Sequence, residues 1–244
     1  MAQHQDLKRK VGAPDHQMSR NLHAPPPLSI KVSEIRDVPY EWKPWSDVQL
    51  PVDILLLTVK DCEFLACYTF LENSFRSFHR NLGPVYFGSM GESGEEALKV
   101  ALMKCYEGFS GVGGSLVTTM KAVVQLRPKA AFSGGCCMGL KPESTKLGDV
   151  VVPSKLSTEK CSLPVGSKAV TSLISIKLNG WNPPLKDPVG EETVLVHSNS
   201  HIFSGTESQF RAEFITTGQR GLSQSSDPVI AVEGEGAGKI LFYI

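Results

Sequence analysis

Residues 52–58, VDILLLT, form an almost unbroken apolar run interrupted by one aspartate. A segment with no polar face to offer water fits a strand buried on both sides, as in a parallel or mixed sheet covered by helices. Asp61 to Phe78 follows with apolar residues at helical spacing (Phe64, Leu65, Tyr68, Leu71, Phe75), which predicts a helix. Leu98 to Cys105 predicts a second strand. The turn GVGGS at 111–115 then leads into a helix that runs to about Leu126 and stops before Arg127 and Pro128. Ala130 to Ser133 predicts a short buried strand entering the loop GGCCMG at 134–139. Asp149 to Val152 predicts another, with Gly148 before it and Pro153 after it. Further on, the pattern gives a helix over 170–178, a proline-rich loop over 182–188, an extended stretch over 192–196, a helix over 208–216 and a strand over Val229 to Val232. Strands alternating with helices define an α/β protein rather than a sandwich or a bundle.

The first 50 residues differ from the rest. They hold Pro25, Pro26 and Pro27, several histidines and little periodicity, so they read as a flexible leader over 1–50 before a domain over 51–244. Tyr40, Trp42 and Trp45 are the exception. Large aromatics are unfavourable in water, so they are expected to dock onto the domain.

Composition excludes several functions. Lysine plus arginine equals aspartate plus glutamate, 25 each, which argues against a nucleic-acid partner. The six cysteines form no CxxC pair, and the six histidines do not flank them at zinc-ligand spacing, so no metal site is expected and the thiols read as reduced, small apolar groups. No apolar run approaches the ~20 residues of a membrane helix. Nor does an apolar segment follow the basic start, so the expectation is a cytoplasmic protein without a membrane partner.

Three glycine-rich turns lie where strands end, the place where α/β sheets bind ligands. The first, GVGGS, has two readings: a tight turn into a helix, or an anion or ribose contact through the Gly113 amide and Ser115 at a helix N-terminus. The second, GGCCMGL at 134–140, is followed by KLGDVVVP at 146–153. The third is AVEGEGAG at 231–238, with Glu233 and Glu235 just beyond a buried strand.

In this order and spacing, VALMKCYEGFSGVGGS, AFSGGCCMGLKPESTKLGDVVV and PVIAVEGEGAG resemble the nucleoside phosphorylase/nucleosidase family, above all the methylthioadenosine/S-adenosylhomocysteine nucleosidases. The resemblance covers about Val52 to Gly238. It implies a three-layer α/β fold with a mixed central sheet flanked by helices. It also implies cleavage of the N-glycosidic bond of a purine nucleoside or 5′-thioadenosine, by water or by phosphate. Cleavage builds positive charge on the sugar and negative charge on the leaving purine, so the site needs a base for the nucleophile, a carboxylate near the ribose and an acid for the purine.

By the same resemblance Glu63 is the catalytic base; its other reading is a helix-start acid favoured by the helix dipole. Glu235 is the ribose-binding glutamate, or Glu233 if the alignment of the repeat shifts by one glutamate. Ser204, Gly205 and Phe210 line the base pocket, and Gly135 and Gly139 bring backbone to the ligand. No cofactor is implied beyond phosphate as co-substrate in a phosphorylase, and the family usually forms homo-oligomers. Arg76, Arg80 and Arg127 sit in no recognisable phosphate-binding pattern, which favours water over phosphate.

Two departures from the family pattern matter. Gly234 stands where the family has a methionine beneath the sugar. The family also continues past the glutamate motif, whereas Ile244 follows Gly238 by six residues. On that reading the last strand and helix are missing, with the purine acid they carry, and the expectation is an enzyme impaired as written. The alternatives are a nucleoside-binding or sensing module that has lost its chemistry, and a non-functional fragment.

Overall fold

The computed structural model describes residues 28–91, 97–106, 113–139, 145, 149–157, 162–164, 195–205 and 229–233; in the strands at 162–164, 198–199, 229–230 and 232–233 it describes the backbone. The expected helices over 170–178 and 208–216 and the proline-rich loop over 182–188 lie outside these residues.

The apolar run at 52–58 forms β2 (Ile54–Thr58), in the interior of a six-stranded mixed sheet. Its neighbours in that sheet are β1 (Trp42–Lys43), β3 (Glu72–His79), β4 (Gly83–Met90), β5 (Leu98–Lys104) and β6 (Ala130–Ser133), in the order β1-β3-β4-β5-β2-β6. Strands β5, β2 and β6 run parallel, while β3–β4 and β4–β5 are antiparallel. Because successive side chains point to opposite faces, each interior strand feeds two cores. Leu55, Leu57, Ala101 and Met103 pack with Ala122 and Leu126 of helix α2 (Ser115–Leu126). Ile54, Leu56, Val100 and Leu102 pack with Phe64 and Tyr68 of helix α1 (Asp61–Thr69). One helix thus covers each face, which gives the expected helix–sheet–helix layering.

A second, five-stranded mixed sheet has the order β7-β11-β10-β8-β9. Its members are β7 (Met138–Gly139), β8 (Val150–Ser157), β9 (Ser162–Pro164), β10 (Val196–Ser204) and β11 (Val229–Glu233). Here β8, β10 and β11 run parallel, and the two edge strands are antiparallel to them.

Several elements differ from expectation, among them β10, which runs from Val196 to Ser204 where the sequence predicts an extended stretch only over 192–196. The helix expected over 61–78 ends at Thr69, and β3 takes over from Glu72. Leu71 and Phe75 satisfy a four-residue spacing, yet a β3–β4 hairpin turning at Gly83 (φ +76°) competes for them. Phe75 then stacks on Phe87 of the partner strand, with centroids 5.4 Å apart. Strand β4 itself has no counterpart in the sequence reading. Strand β8 does not stop at Pro153 but runs through it. The register shifts beside Ser200, the residue opposite, and such an irregularity tolerates a residue without an N–H.

The aromatic segment ahead of β2 docks onto the domain. Trp42–Lys43 pair parallel with Arg76–Ser77 as β1, and Trp45 packs against the α2-side core with its ring 5.8 Å from that of Phe87. Tyr40 stays largely in solvent, and the Arg76 guanidinium lies over its ring and that of Trp42.

Candidate functional site

Parallel strands β2, β5 and β6 all end at the same edge, at Thr58, Lys104 and Ser133. The chain leaving each is fixed to its neighbour: the Cys105 amide donates to the Thr58 carbonyl (2.7 Å) and the Gly134 amide to the Leu57 carbonyl (3.0 Å). Between these exits lies Glu63, in the first turn of α1 and 7% exposed. Its Oε2 accepts from the Val59 amide (2.9 Å) and from the Lys60 amide (3.0 Å), so the side chain caps its own helix. Its Oε1 accepts from the Cys136 amide (2.9 Å), 73 residues away in the loop after β6. A carboxylate is costly to bury without partners, and three backbone donors meet that cost. The sequence reading identified Glu63; the Cys136 amide carried no signal in the sequence, because any residue supplies one.

That loop joins the two sheets. After Gly134–Cys137 the chain becomes β7, where Met138 pairs with Val232 and Gly139 with Ala231 of β11. Glu233, the last residue of β11, lies opposite Ser204 at the end of β10. The 134–139 loop thus links Glu63, through the Cys136 amide and the β7–β11 pairing, to the strand on which the backbone of Glu233 lies opposite Ser204. Ser204 is 2% exposed and its Oγ has no hydrogen-bond partner among the described residues. Gly205 follows it directly and is half-buried. Phe210 and Glu235 lie outside the described residues.

Gly139 has a structural reason to be glycine: a Cβ there would stand 2.3 Å from Thr145 Oγ1. Gly135 is exposed. Gly113 has φ +81°, and a Cβ on it would meet the Tyr106 ring at 2.3 Å. Its carbonyl accepts from the Tyr106 amide and the Thr118 hydroxyl, which fixes the turn into α2. Ser115 opens that helix, buried, with no partner for its Oγ among the described residues. Both readings of this turn thus have support: a tight turn, and a polar group presented at a helix start.

Ser157 and His201 were not singled out by sequence. Both are buried between β8 and β10, with Ser157 Oγ 2.6 Å from His201 Nε2. Nearer Glu63, burial pushes the Cys67 and Cys136 thiols above their ordinary pKa, and the carboxylate of Glu63 pushes them further. Among the described residues no group of three or more histidine, cysteine or acidic side chains is arranged to hold a metal. No helix among them is long and apolar enough to cross a membrane. A groove of about 480 Å³, lined in part by Lys43, Phe75, Phe87 and Lys99, lies at the opposite, amino ends of β2 and β5.

No protein-family model matches the sequence. No curated protein matches it either. The fold does have solved counterparts. A protein of Borrelia burgdorferi described as a 5′-methylthioadenosine/S-adenosylhomocysteine nucleosidase, bound to adenine, superposes with a TM-score of 0.54 at 13% identity, over 76% of this chain and 77% of that one. The nucleosidase of Colwellia psychrerythraea, in complex with adenine, gives 0.52 at 12% identity over 76% and 73%. That of S. pneumoniae, with a transition-state inhibitor, gives 0.51 at 14% identity over 75% of each chain. The chain therefore has the α/β fold of the nucleoside phosphorylases and nucleosidases. Within that class its architecture is similar to that of the methylthioadenosine/S-adenosylhomocysteine nucleosidases.

Proposed function

We propose that this chain binds a purine nucleoside or 5′-thioadenosine and hydrolyses its N-glycosidic bond. The observation that carries the reading is the buried carboxylate of Glu63, held by three backbone amides where β2, β5 and β6 end and beside the loop that leads to β7, the partner of β11. In this reading Glu63 takes a proton from water as that water attacks the anomeric carbon. Glu235, or Glu233, holds the ribose hydroxyls. Ser204, Gly205 and Phe210 form the base pocket, and Gly135 and Gly139 let the backbone approach the ligand. The solved proteins of similar fold are described as nucleosidases and were seen with adenine or an inhibitor, which supports a purine ligand here.

Water is preferred to phosphate as nucleophile because two of the described arginines, Arg76 and Arg127, are placed poorly for an anion beside Glu63. Arg76 is occupied by Tyr40 and Trp42 at the β1 edge. Arg127 follows the C-terminus of α2, a 12-residue helix whose N-terminal turn is tied to Tyr106 just beyond β5, so about 18 Å separates it from that end. If phosphate does enter, Gly113 and Ser115 are the groups that would meet it.

A second reading, binding without turnover, is favoured by a specific observation: both oxygens of Glu63 already secure α1 and the loop at Cys136, a role complete without chemistry. Glycine at 234 in place of methionine also favours it. The test is calorimetric binding of 5′-methylthioadenosine, together with adenine release measured with and without phosphate. Release independent of phosphate supports hydrolysis, and phosphate-dependent release makes the chain a phosphorylase. Binding without release leaves a sensing module, and a folded chain that does neither overturns both readings.

A further inference from the structure

The groove at the amino ends of β2 and β5 takes no part in the site at Glu63. Val52 lines it just before β2, and Thr58 closes that strand about 15 Å further on. One wall is the sheet. Phe75 of β3 pairs with Phe87 of β4, and Ser89 of β4 pairs with Lys99 of β5, so all four side chains share one face. The other wall is the segment from Lys43 to Gln49. It is tied down where the Ser77 hydroxyl donates to the Lys43 carbonyl at 2.8 Å. The space of about 480 Å³ between them falls within the range of small-ligand sites.

The lining suits a ligand with a flat apolar ring and a negative charge. Phe75 stacks on Phe87, and the Lys43 ammonium stands 4.4 Å from the centre of the Phe75 ring. Lys99 brings a second ammonium to the lining. Among the described residues neither lysine has an ion-pair partner. Asp47 is the one acidic residue of the lining, so two positive charges stand against one negative. Asp53, which accepts from the Lys99 amide, is balanced by Lys129 Nζ at 2.7 Å. Glu72, opposite Ser89, lies outside the lining. The register of β3 breaks between Glu72 and Phe75, where Asn73 takes φ +51° at the edge of the groove. Such breaks recur beside functional sites.

We propose that this groove is a second small-molecule site, which binds an aromatic anion. The ligand's ring lies against Phe75, and the carboxylate or phosphate it carries is met by Lys43 and Lys99. The flexible stem of Lys43 lets its ammonium swing from the ring face to the anion while the ligand's ring takes its place. A charge-assisted hydrogen bond outweighs a cation–π contact at an exposed position, so the exchange favours binding. Glu63 has no part in this, and the site stands or falls separately from the hydrolytic reading.

The test is an amide chemical-shift titration of the isotope-labelled whole chain with naphthoate, with naphthyl phosphate, and with naphthalenemethanol as the uncharged analogue. The amides of Lys43, Asn73, Ser89, Lys99 and Val100 are expected to move. At least one anion should bind about tenfold or more tighter than the alcohol, and the tighter of the two tells a carboxylate ligand from a phosphate. Lys43→Gln and Lys99→Gln should each weaken that anion about tenfold and leave the alcohol unchanged. Lys121→Gln, exposed on α2, should change neither. Equal binding of all three probes overturns recognition of charge. Shifts confined to α1 and the 134–139 loop overturn the groove as the place of binding, as does the absence of saturable binding at millimolar probe. Saturating 5′-methylthioadenosine should not displace the anion, and displacement would overturn a separate site. A chain that binds the anion in the groove but neither binds nor cleaves nucleoside keeps this site and loses the hydrolytic reading.

Discussion

Glu63 Oε1 and the Cys136 amide, 2.9 Å apart, join the first helix to the loop that carries the chain from one sheet into the other. The same carboxylate is the candidate base and a structural staple, so its substitutions need two readouts. Glu63→Gln should cut adenine release by about 10²- to 10⁴-fold, the usual contribution of a positioned base. Its NH₂ group would also face a backbone donor, at a stability cost of about 1–3 kcal/mol. Calorimetric binding of 5′-methylthioadenosine should survive, and thermal melting would register the stability loss. Unchanged turnover would remove Glu63 from the chemistry and leave it the staple alone.

Asp53 plays a comparable joining role at the other end of the strands. Its carboxylate accepts from the Lys99 amide at 2.8 Å and pairs with Lys129 Nζ at 2.7 Å, while its carbonyl accepts from the Lys129 and Ala130 amides. The hydrogen bond from Lys129, then that from the Lys99 amide, lowers its pKa below the ordinary 3.8. A depressed carboxyl pKa stabilises the fold above the unfolded value, and that stabilisation is lost as pH falls through the folded value. Asp53→Asn should therefore cost about 1 kcal/mol at neutral pH, a small figure because Lys129 stands mostly in water. Denaturant melts across pH should bring mutant and parent together below the carboxyl range. A gap that persists there would mean that the ionised form contributes nothing.

The two glutamates of the last motif can be separated by ligand. The residue that holds the ribose should, as glutamine, weaken 5′-methylthioadenosine about tenfold or more while free adenine is hardly affected. Glu235→Gln is expected to show this and Glu233→Gln to show less. The reverse pattern moves the ribose contact to the residue paired with Ser204, and equal losses for both ligands place the ribose elsewhere.

Gly113→Ala tests the turn into α2. A left-handed φ of +81° and a Cβ 2.3 Å from the Tyr106 ring both oppose alanine. The expected cost is about 1–3 kcal/mol by thermal or denaturant unfolding. A neutral result would show that Tyr106, which is mostly exposed, swings away freely and that the turn relaxes.

Much of this was legible where a pattern reports burial directly. The apolar runs of β2, β5 and β6 can be satisfied only by a covered sheet, whereas Glu63 was singled out by the family resemblance, the local pattern alone giving a helix-start acid. The β3–β4 hairpin was not legible, since Leu71 and Phe75 fit a helix as well as a strand until the turn at Gly83 is taken into account. The continuation of β8 past Pro153 depends on an irregular register with β10, which no local rule reports. The bond from Cys136, the burial of Ser204 and the contact of Ser157 with His201 arise from strands distant in sequence. They become visible only once the sheets are assembled.

The short strand β1 bears on how the protein behaves at high concentration. A long outermost strand offers a row of unpaired amides and carbonyls as a template for another molecule. Here the flank of β3 is covered by a strand of only two residues, with Trp42 and Arg76 packed across the seam. Removal of the segment before β2 would uncover β3, including the exposed Phe78. The shortened protein should then self-associate edge to edge, with light scattering rising before any loss of helical signal.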